Sequence, residues 1–460
     1  MKRQQPANFP GVLTGTAFFC FFGATSVPAQ PLPGTLLWKS PVRGLVSQSC
    51  PAIGHDGTIY ALGSGLTALA PDGTIKWATA SEWGLIGSPV IADDGTIYFG
   101  NSDGVLHAAT PDGAVKWSYD FQAELTYSTY FHSTPALGAD GTVYCMKGGT
   151  LFALTPDGGK KWQVRLDGGY QPKSPVIGAD GTIYVTGYGN GYQEGPGFYA
   201  LNPDGTTKWK AAGSSTSEAA MIGLDGKIYA NPYEFTPAGD LVWTGASYAG
   251  GESAVRGLDG TLYSGGNGQL YSLSAAGAPG FNGSIGMNAW HWDGRTVPAV
   301  DASGMIYYYS SNTVFAVTSA GSVAWVCSGP LAFVTPWVIF TGIPTVGPDG
   351  TVYAAFSDGL YAIQGSGQPL AASGWPTFGQ NLRHTGKVER PVPGPLARRP
   401  DGNFAIQFAG EPGQAYTVQK SADLANWVYH TNLVARGAQA VVTDLTATNA
   451  GTRFYRVTTP

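Results

Sequence analysis

Charge is scarce in this sequence. Only 12% of its 460 residues are Asp, Glu, Lys or Arg, about half the usual share. A coiled coil needs those residues at heptad spacing and is excluded. The 25 basic residues form no stripe among the 30 acidic ones, and the net charge is −5. No nucleic-acid partner is expected. Cysteine is scarcer still, with four in all. Cys20 lies in an N-terminal apolar run. Cys50, Cys145 and Cys327 are scattered and odd in number, so disulfides do not frame the fold. They read as small buried hydrophobes, with one exposed thiol or one bridge left open. Long apolar runs are missing too. Residues 11–23 form a stretch of about 13, too short to span a bilayer, so no transmembrane segment is expected.

What is present is glycine and aromatic side chain. There are 67 Gly and 13 Trp, and 43% of residues are hydrophobic. A disordered chain lacks such hydrophobicity, and collagen needs Gly at every third position. The composition suits an all-β protein of many short strands and tight turns. At the N-terminus, Lys2 and Arg3 precede the apolar run, and Val27-Pro28-Ala29 follows it. This resembles a secretory signal peptide over residues 1–29, cleaved after Ala29. A secreted, periplasmic or cell-surface location follows. Removing Lys2 and Arg3 brings the charge to about −7.

Two phrases repeat through the chain. The first is SPVIADDGTIYFG at 88–100, with relatives starting at 50, 134, 174, 219, 253, 297 and 343. The second is PDGTIKW at 71–77, with relatives at 111–117, 156–162, 203–209, 237–243 and 319–325, and a degenerate copy near 275–281. The phrases alternate with a period of 34 to 46 residues. Each Asp-Gly between alternating apolar runs predicts a hairpin, with Gly at positive φ and Asp closing the turn. Two hairpins give four strands per repeat. Eight repeats predict an eight-bladed β-propeller rather than a solenoid, whose rungs are usually shorter. The half-phrase PGTLLW at 33–38 opens this region. It is expected to meet 374–376 at the ring seam, since a propeller hides its sheet edges by closure.

The Asp-Gly-Thr-Ile-Tyr and Leu-x-Ala-Leu-x-Pro-Asp-Gly-x-x-Lys-Trp phrases resemble the PQQ-like, quinoprotein-type propeller family over residues 35–380. The resemblance implies that the repeat Trp packs between blades. The matching positions are Trp38, Trp77, Trp117, Trp162, Trp209, Trp243, Trp325 and Trp375. Residues 374–386 (GWPTFGQNLRHTG) resemble a terminal motif that follows such repeats. Residues 387–400, rich in Pro and basic residues, read as a stiff linker. Residues 401–460 alternate as a small β-sandwich and resemble the fibronectin-like C-terminal modules of secreted bacterial proteins. Tyr416, Val418, Trp427, Phe454 and Val457 are its expected core.

Chemistry is hard to find. The turn Asp residues recur at one place in every repeat and read as turn formers rather than metal ligands. No zinc pair, phosphate loop, Gly-x-Ser-x-Gly elbow or His-Glu-x-x-His helix occurs. Quinoprotein dehydrogenases of the resembled family carry adjacent cysteines, a catalytic Asp and calcium. This chain has no Cys-Cys pair, so the resemblance carries the fold and not the quinone cofactor. No metal or cofactor is expected.

With alternating strands A to D, the Asp-Gly turns share one face. The D–A and B–C loops share the other, and they are longer and aromatic. They hold Trp83, Tyr130, His132, Tyr192, Trp290, His291, Trp292 and Trp337. Propellers bind through such loops. The expected function is therefore a monomeric, non-catalytic binding or scaffold module for a protein or polysaccharide. The alternative is an enzyme, either quinone-dependent or carbohydrate-active, working in the funnel. A glycosidase would need two carboxylates about 5 to 9.5 Å apart. Glu82, Glu124, Glu194 and Glu252 are the candidates.

Overall fold

The structure is a computed structural model. It describes residues 31–45, 49–79, 85–124, 133–166, 174–186, 196–212, 219–223, 226–245, 253–257, 259–266, 269–284, 297–310, 312–330, 342–371, 377, 379, 381, 384–386 and the module strands between 392 and 458. The chain divides into two units, Met1–Leu32 and Pro33–Pro460. All elements discussed here belong to the second.

Eight antiparallel four-stranded sheets follow one another as blades of a propeller. Blade 1 shows the pattern: strands A to D are Ala52–Ile53, Ile59–Leu62, Leu66–Leu69 and Ile75–Ala78. The inner A strands of blades 2 to 8 are Leu85–Ile91, Ala136–Leu137, Val176–Ile177, Met221–Ile222, Val255–Arg256, Ala299–Val300 and Thr345–Val346. Strands B and C are continuous apolar runs, buried because neighbouring blades cover both faces. Strand D alternates exposed and half-buried, as a rim strand should.

Closure comes from the N-terminus. Leu36–Ser40 supplies strand D of blade 8 by pairing with Gly359–Gln364, with Trp38 opposite Ala362. Gly34 N–H donates to the Gln364 carbonyl at 2.7 Å, and Gln364 N–H to the Thr35 carbonyl at 2.8 Å. These bonds rebuild the C–D turn across a chain break of about 330 residues. The seam therefore joins 36–40 to 360–363. The expected partner, 374–376, lies outside the described residues.

The blade tryptophans fasten neighbours together. Trp38, Trp77, Trp117, Trp162 and Trp209 donate their indole N–H to the carbonyls of Pro71, Pro111, Pro156, Pro203 and Pro237, each on the next blade, at 2.8–3.0 Å. The ring of each lies on the turn glycine of that blade. A Cβ on Gly73 would sit 2.5 Å from Trp38, and its φ of +85° already demands glycine. Trp243 on Gly277, Phe281 on Gly321 and Trp325 on Gly34 complete the circle. Eight positions are thus filled without Trp375, which lies outside the described residues.

The turn Asp has a local job. Asp140 accepts from the Thr142 N–H, and Lys161 reaches both Asp140 and the Thr142 hydroxyl at 3.0 and 2.9 Å. Burial pushes the Asp140 carboxyl up. The Thr142 and Lys161 contacts outweigh that and hold it at about 2.

The C-terminal module is two three-stranded sheets. One orders Val392–Arg398, Phe404–Ala409 and Gln439–Asp444; the other Val428–Val434, Ala415–Ser421 and Phe454–Thr458. Ile406, Phe408, Tyr416, Val418 and Val442 are its buried core, with Val457 against them. Trp427 and the Phe454 side chain lie outside what is described. Part of the expected linker, Val392–Arg398, is a strand. It sits at a sheet edge with a register shift between Pro393 and Leu396, the setting in which a strand tolerates proline.

Candidate functional site

The short A strands surround the channel. Each enters from the loop face and leaves toward the Asp-Gly turn face. Their loop-side ends carry a girdle of hydroxyls. Cys50 N–H donates to Ser88 Oγ, Ser88 N–H to Thr134 Oγ1, and Thr134 N–H to Ser174 Oγ, at 2.9–3.2 Å. Ser174 bridges Ala219 in parallel, and Ala219 N–H donates to Ser253 Oγ at 2.7 Å. Six blades are stitched in sequence this way. A hydroxyl at the first position of the long phrase is the signal, since it accepts from the preceding blade's backbone N–H. Blades 7 and 8 carry Val297 and Ile343 there, both buried.

Between blades 2 and 3, the loop side holds a polar cluster. Lys147, at the end of strand B of blade 3, is fully buried, and its ammonium lies 3.5 Å from the Gly104 carbonyl. Burial pulls its pKa down, while the Asp120 and Asp103 charges oppose this. A Cβ at Gly104 would lie 1.5 Å from the ammonium nitrogen, so only glycine leaves room. Nearby, the Lys160 ammonium and the Tyr119 hydroxyl both donate to Glu124, and these bonds hold its carboxyl below the ordinary range. Glu124 is thus committed to local structure, which argues against a catalytic acid.

The turn side is different. After strand C of blade 8, the chain returns to the inner strands. Ala302 N–H donates to the Pro369 carbonyl and Ala371 N–H to the Val300 carbonyl, both on blade 7. Further on, Leu137 N–H on blade 3 donates to Thr385, and Ile177 N–H on blade 4 to Gly386. His384 is fully buried, and its Nδ1 lies 3.0 Å from the Pro89 carbonyl of blade 2. A carbonyl only accepts, so Nδ1 carries the proton. Burial outweighs this bond and lowers the imidazole to about 4.

Trp83, Tyr130, His132, Tyr192, Trp290, His291, Trp292 and Trp337 lie outside the described residues, as do Glu82, Glu194 and Glu252. Among the described residues, no group of three or more His, Cys, Asp or Glu side chains is gathered as a metal site needs. Cys50 and Cys145 are buried free thiols, pushed up by burial, and Cys327 is half-buried. Among the described residues no helix is long and apolar enough to cross a membrane.

The architecture is that of an eight-bladed β-propeller with strand-exchange closure. A family model described as "Outer membrane protein assembly factor BamB" matches residues 27–168 and again 102–232. With that match and this ring, the repeats over 27–232 are of the PQQ-like propeller type, and the eight blades complete the same fold. No curated protein matches it. BamB from Moraxella catarrhalis is similar, with a TM-score of 0.54 at 16% identity, covering 71% of this chain and 99% of that one. A europium-containing methanol dehydrogenase gives 0.51 at 14%, covering 70% and 84%. The computationally designed Ika8 protein gives 0.54 at 11%, covering 72% and 100%. Identities this low establish the fold alone.

Proposed function

We propose that this protein is an exported, non-catalytic binding module that engages a protein or polysaccharide through the loop face of its propeller. The observation that supports this most is the unequal treatment of the two channel mouths. On the turn side, the chain's own residues 369–371 and 384–386 bond to the inner strands of blades 7, 3 and 4. On the loop side, the inner rim carries hydroxyls, and the D–A and B–C connections are aromatic in sequence. Aromatic side chains with few charges suit a large, weakly charged partner. The match to a family described as an assembly factor favours a protein partner over a glycan. It also favours export, with residues 1–29 as the leader.

The test compares the wild-type chain with Trp290→Ala/Trp292→Ala in capture from native envelope and medium, and on a glycan array. Loss of one partner class in the variant identifies the ligand. Unchanged capture would remove the loop face from consideration. N-terminal sequencing of protein recovered from its native compartment should begin at Gln30.

A further inference from the structure

We propose that residues 365–371 and 384–386 act as the two ends of one diametral clasp, docked on opposite sides of the ring and cooperating to hold it together. In a ring of eight, blade 7 stands opposite blade 3. The strap bonds to both, and also to blades 2 and 4, its neighbours on the far side.

The near end is seated on a carboxylate that the repeat does not otherwise possess. The long phrase places Gly54, Ala92, Gly138, Gly178, Gly223, Gly257 and Gly347 where blade 7 has Asp301. The turn position that is Asp in other blades is Ser303 there. Asp301 is fully buried. Its Oδ1 accepts from Ser303 N–H and hydroxyl and from Met305 N–H at 2.6–3.0 Å, so it still closes the turn. Its Oδ2 accepts from the Tyr307 hydroxyl at 2.7 Å and from the Ser366 hydroxyl of the strap at 2.5 Å. The Tyr307 hydroxyl also accepts from Ser366 N–H at 3.0 Å. Moving the Asp two residues earlier turns a hairpin device into a docking point.

The far end is equally specific. Asn381 bonds the Thr385 hydroxyl at 2.8 Å, and Gly386 N–H donates to Gly379, which fixes a tight loop before it docks. His384 holds a φ of +56° with no exposed surface. A non-glycine residue keeps that conformation only where its surroundings over-determine it. A Cβ on Gly386 would lie 2.9 Å from the Ala136 Cβ, so the strap's backbone lies directly against blade 3.

Peptide-resolved hydrogen exchange on the full chain tests this. Two variants weaken opposite ends: Ser366→Ala removes the hydroxyl from Asp301, and His384→Gln replaces the imidazole with a side chain that still donates. Each should accelerate exchange at the end it does not touch. Ser366→Ala should speed Leu137 and Ile177 by about tenfold, and His384→Gln should do the same for Ala302 and Ala371, the size of one lost buried hydrogen bond. The amides of Met221–Ile222 in blade 5, to which no described residue of the clasp bonds, should keep the wild-type rate. Acceleration confined to the substituted end, or spread equally to blade 5, overturns the clasp.

Discussion

Blades 1 to 4 and blades 5 to 8 solve the same architectural problem with different chemistry. In the first half, every rim strand places a lysine before its tryptophan. Lys76, Lys116, Lys161 and Lys208 each reach the turn threonine of their own blade at 2.8–2.9 Å. In the second half that position holds Val242, Gly280, Ala324 and Leu37. The indole bonds change only in part, since Trp38 of blade 8 still donates to the Pro71 carbonyl. Trp243 N–H finds no acceptor among the described residues, and blade 6 itself carries Phe281 in place of tryptophan. The second half compensates by packing. Tyr307, Tyr308 and Tyr309 are fully buried, and one apolar cluster runs from blade 7 through blade 8 to blade 1. A polar belt and an apolar seam are alternative ways to fix one blade against the next.

The largest effect expected from breaking this comparison lies in the seam. Tyr309→Ala should cost about 3–5 kcal/mol by chemical denaturation, as a large side chain removed from a packed core. Trp117→Ala in the polar half should cost less, about 3 kcal/mol, because its ring is only half-buried.

Acid should act next, through the clasp. His384 sits at about 4 in the folded chain and about 6.5 when unfolded. The unfolded chain therefore takes the proton first. This contribution to stability is full above pH about 6.5 and is lost as pH falls toward about 4. Denaturation midpoints for His384→Gln should show a shallower slope across that window than wild type.

Smaller effects sharpen the contrast. Trp117→Phe should cost about 1 kcal/mol, one hydrogen bond, whereas Trp243→Phe should be near neutral or stabilising because its N–H has no acceptor among the described residues. A cost for Trp243→Phe equal to that for Trp117→Phe would mean that the indole bond is not what separates the halves. Smallest of all, Lys161→Ala should cost about 0.5 kcal/mol, since the Lys161–Asp140 pair is well exposed and screened by solvent.

The family match follows the same division. It ends at residue 232, within blade 5, near where the lysines stop. The later repeats were still legible because their turns survive. Gly260, Gly304 and Gly350 all keep a positive φ of 83°. The candidate site was less legible. Ser88, Thr134 and Ser174 stood in plain view as the first letter of a phrase, yet a single strand gives a hydroxyl there no purpose. It acquires one only when the preceding blade's N–H arrives. His384 looked like one residue of a terminal motif, and its partner Pro89 lies 295 residues away.

Sequence alone therefore determined the local units: where chains turn, which residues alternate into a blade, and how many blades there are. Those follow from contacts within a few residues, where an Asp-Gly pair or an apolar alternation acts on its own neighbours. Tertiary structure decided how the ring is fastened: which segment the closing strand pairs with, which hydroxyls join blades, and where residues 369–371 and 384–386 dock. Those bonds join groups that closure of the ring brings together, so no local pattern encodes them.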